Sequence, residues 1–465
     1  MIPLPIERLA DVLAARVVGD HDATPVERVM TDSRIESDHP AVFFALRTDR
    51  ADGHAHVAAA AEAGATCAVV AHTTPDPGLV QLQVDDPWRA LERLARHVVD
   101  TVAPRVVAIT GSYGKTTVKD LTAAALAPTR RVVAARGSFN NELGVPLTML
   151  EVTTGVEVLV AEAGARNAGD LADLGRLLAP DVAVVTAVGP VHLATFGDED
   201  GVAAEKSRLV TALGDGGTAV LNADDPRVAA MAAVAPSVVT VSATGAAADV
   251  RAHDVRVDPT GRVRARAATP WGDVELALPL PGVHHLTNGL LALAVAGLEG
   301  TPVATAAAAL ADAPTSPHRA VLARAGGLTV LDDSYNASPP TVRGALRTLA
   351  DLPCDGRRWA VLGEMAELGV DAAAQHRTVG AACDAVDVLV TVGPATGPLA
   401  EAAAALPGAP EVHRVADHRA AADLVVAGAR PGDVVLFKAS RVATLDRAVA
   451  AVLAALGGAE EGDAA

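Results

Sequence analysis

Val106-Val107-Ala108-Ile109-Thr110-Gly111-Ser112-Tyr113-Gly114-Lys115-Thr116-Thr117 is the stretch that decides the fold class of this chain. Its first residues are apolar and mostly β-branched, the pattern of a buried strand. Two glycines then allow a tight turn, and successive N–H groups can point at an anion. The segment Lys115-Thr116-Thr117-Val118-Lys119-Asp120-Leu121 reads as the helix that follows. Thr110, Gly111, Ser112, Tyr113, Gly114, Lys115, Thr116 and Thr117 are therefore candidate nucleotide ligands. Lys115 supplies a point charge to β/γ-phosphates, and the Thr116 hydroxyl can ligate Mg²⁺. The longer phosphate-loop pattern would place glycine where Ile109 stands, so the loop is the shorter T-G-x-x-G-K-T type. The alternative reading is an ordinary glycine-containing turn from strand to helix.

Outward from this loop, residues 105–313 alternate strand and helix patterns, which argues for a mostly parallel sheet covered by helices. Short alternating segments around 250–280 read as an antiparallel addition. Toward the N-terminus, residues 1–85 read as a small α/β unit led by an amphipathic helix, Ile6 to Ala15. Asp86-Pro87 opens a helical connector. From about 314 a third α/β pattern begins, with strands in Leu328–Tyr335, Arg357–Gly363, Val386–Gly393 and Asp433–Ser440. That is a second doubly wound pattern. The expected fold is α/β in three domains: a small N-terminal α/β domain (1–85), a central phosphate-loop ATPase domain with a parallel sheet (86–313) and a Rossmann-like C-terminal domain (314–465). The tail after Gly457 reads as frayed.

A formal net charge of −18 over 465 residues disfavours nucleic acid and anionic membranes as partners. An anionic substrate must then be held by local cations or helix N-termini. Cys67, Cys354 and Cys383 have no metal-ligand spacing and read as buried free thiols. The N-terminus lacks a signal-peptide core, and no run of about 18 apolar residues could span a bilayer. A cytoplasmic protein without membrane insertion is expected.

Further motifs resemble the Mur ligases across nearly the whole chain. They are Gly137-Ser138-Phe139-Asn140-Asn141-Glu142-Leu143-Gly144, Glu162 at the end of a strand, Gly189-Pro190-Val191-His192 and Glu205-Lys206. Gly282-Val283-His284 with Asn288 follows, with His285 in place of a usual Asn. Then come Arg319, Asp332-Asp333-Ser334-Tyr335-Asn336-Ala337-Ser338-Pro339, Leu362-Gly363-Glu364-Met365-Ala366-Glu367-Leu368-Gly369 and Lys438-Ala439-Ser440-Arg441. The first domain contributes Asp32-Ser33-Arg34 and Asp52-Gly53-His54. Within the family, the resemblance is to the branch that adds D-alanyl-D-alanine to a peptidoglycan precursor.

The resemblance implies an ATP-dependent ligase that joins UDP-N-acetylmuramoyl-tripeptide to D-Ala-D-Ala through an acyl phosphate, forming ADP. It implies catalytic roles for Lys115, His192 and Lys206. Asn288, Arg319, Asp333 and Asn336 join the loop as nucleotide ligands. Asp32, Ser33, Arg34, Asn140, Asn141, Tyr335, Ser440 and Arg441 become substrate ligands. Mg²⁺ would fall to Thr116, Glu162, His192 and a carbamylated Lys206, since an ammonium cannot ligate a metal. The enzyme is expected to be monomeric. Read without the resemblance, Lys206 is a surface lysine on a charged helix face and His192 a structural histidine. Tyr335 and Asn336 are turn residues, and Asp32–Arg34 is an exposed ion pair. Ala163 stands where this branch usually has Met. Arg47-Thr48-Asp49-Arg50 replaces a glycine-containing stretch, and Ser316-Pro317-His318 is an unusual approach to Arg319. These departures leave open a paralogue acting on a related substrate in specialised metabolism. A folylpolyglutamate synthase, a phosphate-loop switch or motor and a silent binding subunit are the other readings.

Overall fold

The structure, a computed structural model, describes residues 1–457 apart from Ala23, Asp76 and Pro259. The tail expected to fray lies outside the described residues. Among the described residues the strands form three sheets, and the chain is α/β as expected. Its contacts divide it into two compact units: residues 1–108, 130–163 and 173–181, and residues 109–129, 164–172 and 182–465.

In the first unit a five-stranded sheet runs in the order Arg16–Val18, Val80–Gln83, Ala65–Val70, Ala41–Phe44, Arg28–Met30. Only the Arg16–Val18 edge is antiparallel. Ala41–Phe44 is buried along its whole length and Ala65–Val70 at every position but Thr66, which explains their mostly apolar sequence. Helix Pro87–Val102 starts where the sequence signals it. The Asp86 carboxylate accepts from the N–H groups of Trp88 and Arg89, and Pro87 occupies the first turn, where no N–H is needed. Leu91, Leu94 and Val98, at helical spacing, form its buried face. The unit also holds the parallel pair Val132–Ala134 and Val158–Glu162, which places Glu162 at a strand's carboxyl end.

In the second unit, strands Val182–Val185, Thr218–Asn222, Val238–Ser242 and Val250–Val257 run parallel in that order. Strands Arg262–Ala268 and Val274–Pro281 extend them antiparallel, as the alternating pattern around 250–280 predicts. The helix Lys115–Leu126 packs against helix His285–Leu298, which is apolar almost all round and accordingly buried.

The remaining sheet of this unit runs Val321–Ala325, Leu328–Asp332, Val434–Lys438, Arg358–Gly363, Val388–Val392, Glu411–Val415. All but its first pair are parallel. Two apolar clusters, one centred on Leu331, Leu346, Leu362 and Leu436 and one on Val330, Trp359, Val390 and Phe437, pack its two faces. The neighbouring strands Leu328–Asp332, Val434–Lys438 and Arg358–Gly363 release three of the motif segments from their carboxyl ends. These segments are Asp333–Ser338, Ala439–Arg441 and Glu364–Leu368. Parallel pairing therefore gathers loops more than 100 residues apart on one edge, where such sheets bind ligands.

Candidate active site

The phosphate loop has the backbone its glycines were read to require. Gly111 has φ +148° and Gly114 φ +82°. A Cβ on Gly111 would lie 1.9 Å from Thr186 Oγ1, and one on Gly114 would lie 2.8 Å from Asn288 Oδ1. No larger residue fits either place. The loop is moored to the neighbouring strand end: the Ser112 N–H donates to the Ala187 carbonyl at 2.8 Å, and the Thr186 hydroxyl donates to the Tyr113 carbonyl. Asn222 steadies Thr186 in turn, its amide donating to the Thr186 carbonyl at 2.9 Å. Burial pushes the Tyr113 phenol up to about 12, so it stays a neutral wall of the loop. Lys115 folds over its own loop, Nζ donating to the Gly111 carbonyl at 2.8 Å.

Arg319 reaches this loop from the region that precedes the last sheet. Its Nη2 donates to Thr116 Oγ1 at 3.1 Å, and its guanidinium lies 4.0 Å above the Tyr335 ring. Arg441 approaches the same ring at 5.5 Å and donates to the Tyr335 hydroxyl at 3.4 Å. Thr116, Arg319, Tyr335 and Arg441 thus form one connected group. Asn288 is buried beside Gly114, its amide 3.2 Å from His285 Nδ1.

Asp333 forms an ion pair with the buried Lys438, whose Nζ also donates to the Asn336 carbonyl at 3.0 Å. Burial raises the Asp333 carboxyl, against the pull of Lys438. The Asn336 side chain is exposed, and the Ser440 hydroxyl is spent on the Glu364 carbonyl at 2.6 Å.

Lys206 is not a surface lysine. It is 3% exposed, and its ammonium is pulled down to about 7, first by burial and then by Lys115. Its neighbour Glu205 is equally buried and accepts from the N–H groups of Gly169 and Leu171, both at 2.9 Å. A helix that reads as charged is thus turned inward by a carboxylate with a structural task. His192 takes a left-handed backbone, φ +53°, and its Nδ1 lies 2.7 Å from Glu367 Oε2. With Nδ1–H donated there, Nε2 keeps its lone pair, the usual arrangement for a metal-binding imidazole. The His192 contact holds the Glu367 carboxyl below its ordinary value. The sequence reading quoted Glu367 inside a motif but gave it no role. Nothing in the local sequence signals a partner 175 positions away.

In the first unit, Glu162 is 1% exposed, and Asn140 Nδ2 donates to its Oε1 at 2.7 Å. Its Oε2 is buried without a partner. A carboxylate oxygen left bare in this way suits a cation. At the start of the next helix Asn141 Oδ1 accepts from the Gly144 N–H at 2.9 Å. Asp32 and Arg34 form an exposed ion pair at 2.6 Å that holds Asp32 down to about 2, and Ser33 sits between them, half-buried. Among the described residues no group of three or more His, Cys, Asp and Glu side chains could hold a metal. Cys67 and Cys383 are buried thiols pushed up to about 12, and Cys354 is only half-buried, a correction to the expectation of three buried ones.

Among the described residues no helix is long and apolar enough to cross a membrane. Residues 109–296 match the Mur ligase middle domain, and residues 318–441 match the Mur ligase glutamate ligase domain. The UDP-N-acetylmuramoyl-tripeptide--D-alanyl-D-alanine ligase of Mycobacterium tuberculosis is 38% identical over 98% of both chains. A crystal structure of MurF from Acinetobacter baumannii superposes with a TM-score of 0.87 at 28% identity, covering 97% of this chain and 98% of that one. MurF from Thermotoga maritima, solved in complex with ADP, gives 0.82 at 26% identity over 93% and 98%. The phosphate loop, the strand-end motif segments and these likenesses agree, and the chain belongs to the Mur ligase family.

Proposed function

We propose that the protein uses ATP to join the terminal carboxylate of a UDP-N-acetylmuramoyl-tripeptide to the amine of D-alanyl-D-alanine, a step of peptidoglycan precursor synthesis. The observation that carries the ATP-dependent part is the seating of Arg319 on Thr116 of a phosphate loop that already holds Lys115. The substrates follow from the names of relatives that match along nearly their whole length.

The chemistry needs two anions brought together, because a carboxylate has no adequate leaving group. A carboxylate oxygen attacks the γ-phosphorus of ATP, the bond to the β-bridging oxygen breaks, and ADP departs. The acyl phosphate then takes the amine at its carbonyl carbon. The C–N bond forms, the amine gives up a proton and phosphate leaves. Lys115 and Arg319 would offset charge on the transferring phosphoryl group. We assign nucleotide contact to residues 110–117 with Asn288, Arg319, Asp333 and Asn336. Asp32, Ser33, Arg34, Asn140, Asn141, Tyr335, Ser440 and Arg441 are assigned to the two substrates.

Mg²⁺ would supply further charge neutralisation on the phosphates. Each by its own chemistry, the bare Oε2 of Glu162, the Thr116 hydroxyl and His192 Nε2 are donors suited to it. Lys206 suits it once its neutral amine has added CO₂ and lost a proton to become a carbamate, a reaction favoured by burial and by Lys115. For the functional division we retain residues 1–85 for the UDP-linked substrate, 86–313 for ATP and metal, and 314–465 for completing the nucleotide site and receiving the amine. ADP release measured across a panel of UDP-muramoyl-peptides and amines tests the proposal. Release that needs both a UDP-muramoyl-tripeptide and an amine supports it. Equal release with neither present would mark a simple nucleotide hydrolase.

A further inference from the structure

We propose that His318 is the positioning residue that holds Arg319 on the phosphate loop. The inference rests on reading Arg319 as a ligand of ATP phosphates. Arg319 lies between two residues in left-handed backbone, His318 at φ +62° and Ala320 at φ +54°. L side chains adopt this conformation reluctantly, and such residues persist where their surroundings over-determine them. Ala320 has no polar side-chain atom with which to hold the turn. His318 has two ties. Its Nδ1–H donates to Asp332 Oδ2 at 2.7 Å, and its carbonyl accepts from the Tyr335 N–H at 3.0 Å.

Both ties reach parts of the arginine's own setting. Asp332 ends strand Leu328–Asp332, and its other oxygen is fixed by the Ser334 N–H at 3.1 Å and the Ser334 hydroxyl at 2.6 Å. Tyr335 is the ring over which the Arg319 guanidinium lies. His318 therefore sets the direction in which Arg319 leaves the backbone and also locates the surface it rests on. Two residues earlier, the Ser316 hydroxyl donates to Asp120 on the helix that follows the loop, so the segment is tied on both sides of the turn. Sequence alone gives none of this, since His318 stands 14 residues from its carboxylate partner.

The test is a double-mutant cycle in the full-length enzyme, with ATP, UDP-muramoyl-tripeptide and D-Ala-D-Ala as substrates. H318A should raise KM for ATP about tenfold or more while KM for the two peptide substrates stays within about twofold. H318N should recover most of the loss, because Asn tolerates left-handed backbone and its amide can donate to Asp332. In an R319A background H318A should add nothing, because the two act through one contact. If H318A proves insoluble, H318G takes its place in the cycle, since glycine keeps the turn without the ring and should lose ATP affinity alone. An ATP KM within about twofold of wild type, with R319A impaired, overturns the inference and spares the reading of Arg319. The same penalty for H318A with and without Arg319 also overturns it. An R319A enzyme with normal ATP KM would instead sink the reading of Arg319 itself.

Discussion

Replacing Lys206 with Met should make the protein more stable at neutral pH while destroying its activity. The side chain is 3% exposed, and its ammonium falls from 10.5 to about 7. At about 1.4 kcal/mol per pH unit, that fall corresponds to a cost of roughly 5 kcal/mol for keeping the charge buried beside Lys115. The sign follows from proton counting. Between pH 7 and 10.5 the unfolded chain holds the lysine proton and the folded one releases it, so wild-type stability rises with pH across that window. Below the folded value both states are protonated, and the cost is felt in full. Lys206→Met preserves the volume and never carries the charge. Its advantage in urea or thermal unfolding should be several kcal/mol at pH 7 and should shrink toward zero as pH approaches 10. Bicarbonate should stabilise wild type, because carbamate formation turns a buried cation repelled by Lys115 into an anion attracted by it. It should leave Lys206→Met unchanged. A variant less stable than wild type at pH 7, together with no response of wild type to bicarbonate, would refute the reasoning.

Three further outcomes follow from the same geometry. Lys115→Ala should fold normally yet keep less than about a tenth of wild-type turnover, since loss of a charge-stabilising donor costs about 2.7–4 kcal/mol in comparable sites; circular dichroism and ADP release check the two halves. Gly111→Ala would put a methyl carbon 1.9 Å from Thr186 Oγ1 and must displace the loop, so nucleotide binding measured by calorimetry should be lost. Glu205→Ala strips the acceptor from the Gly169 and Leu171 N–H groups and should destabilise by about 2–4 kcal/mol in urea unfolding.

The elements that announced themselves in the sequence are those whose cause is local. The strand before Gly111, the helix opened by Lys115 and the connector capped by Asp86 each carry their reason within a few residues. The antiparallel strands after Val250 showed in their alternation. What stayed hidden depends on partners distant along the chain. Lys206 reads as exposed because its helix is charged, and only the backbone around Gly169 reveals why Glu205 turns inward. The strand Val434–Lys438 lies between Leu328–Asp332 and Arg358–Gly363, an order that no local pattern specifies. The pairing of His192 with Glu367 and the left-handed turn around Arg319 likewise exist only once the fold is formed. The ion pair of Asp333 with Lys438 also joins residues 105 positions apart. A motif identifies which residues matter more readily than it tells what each one touches.

The most direct measurement offers the enzyme a choice of nucleophile. With ATP, Mg²⁺ and UDP-N-acetylmuramoyl-tripeptide present, D-Ala-D-Ala competes at equal concentration with D-Ala, L-Lys and meso-diaminopimelate, and the products are resolved by mass. The UDP-muramoyl-pentapeptide should dominate, formed one-for-one with ADP. Faster ligation of any single amino acid than of the dipeptide would contradict the proposed substrate and leave only a Mur-type ligase of other specificity.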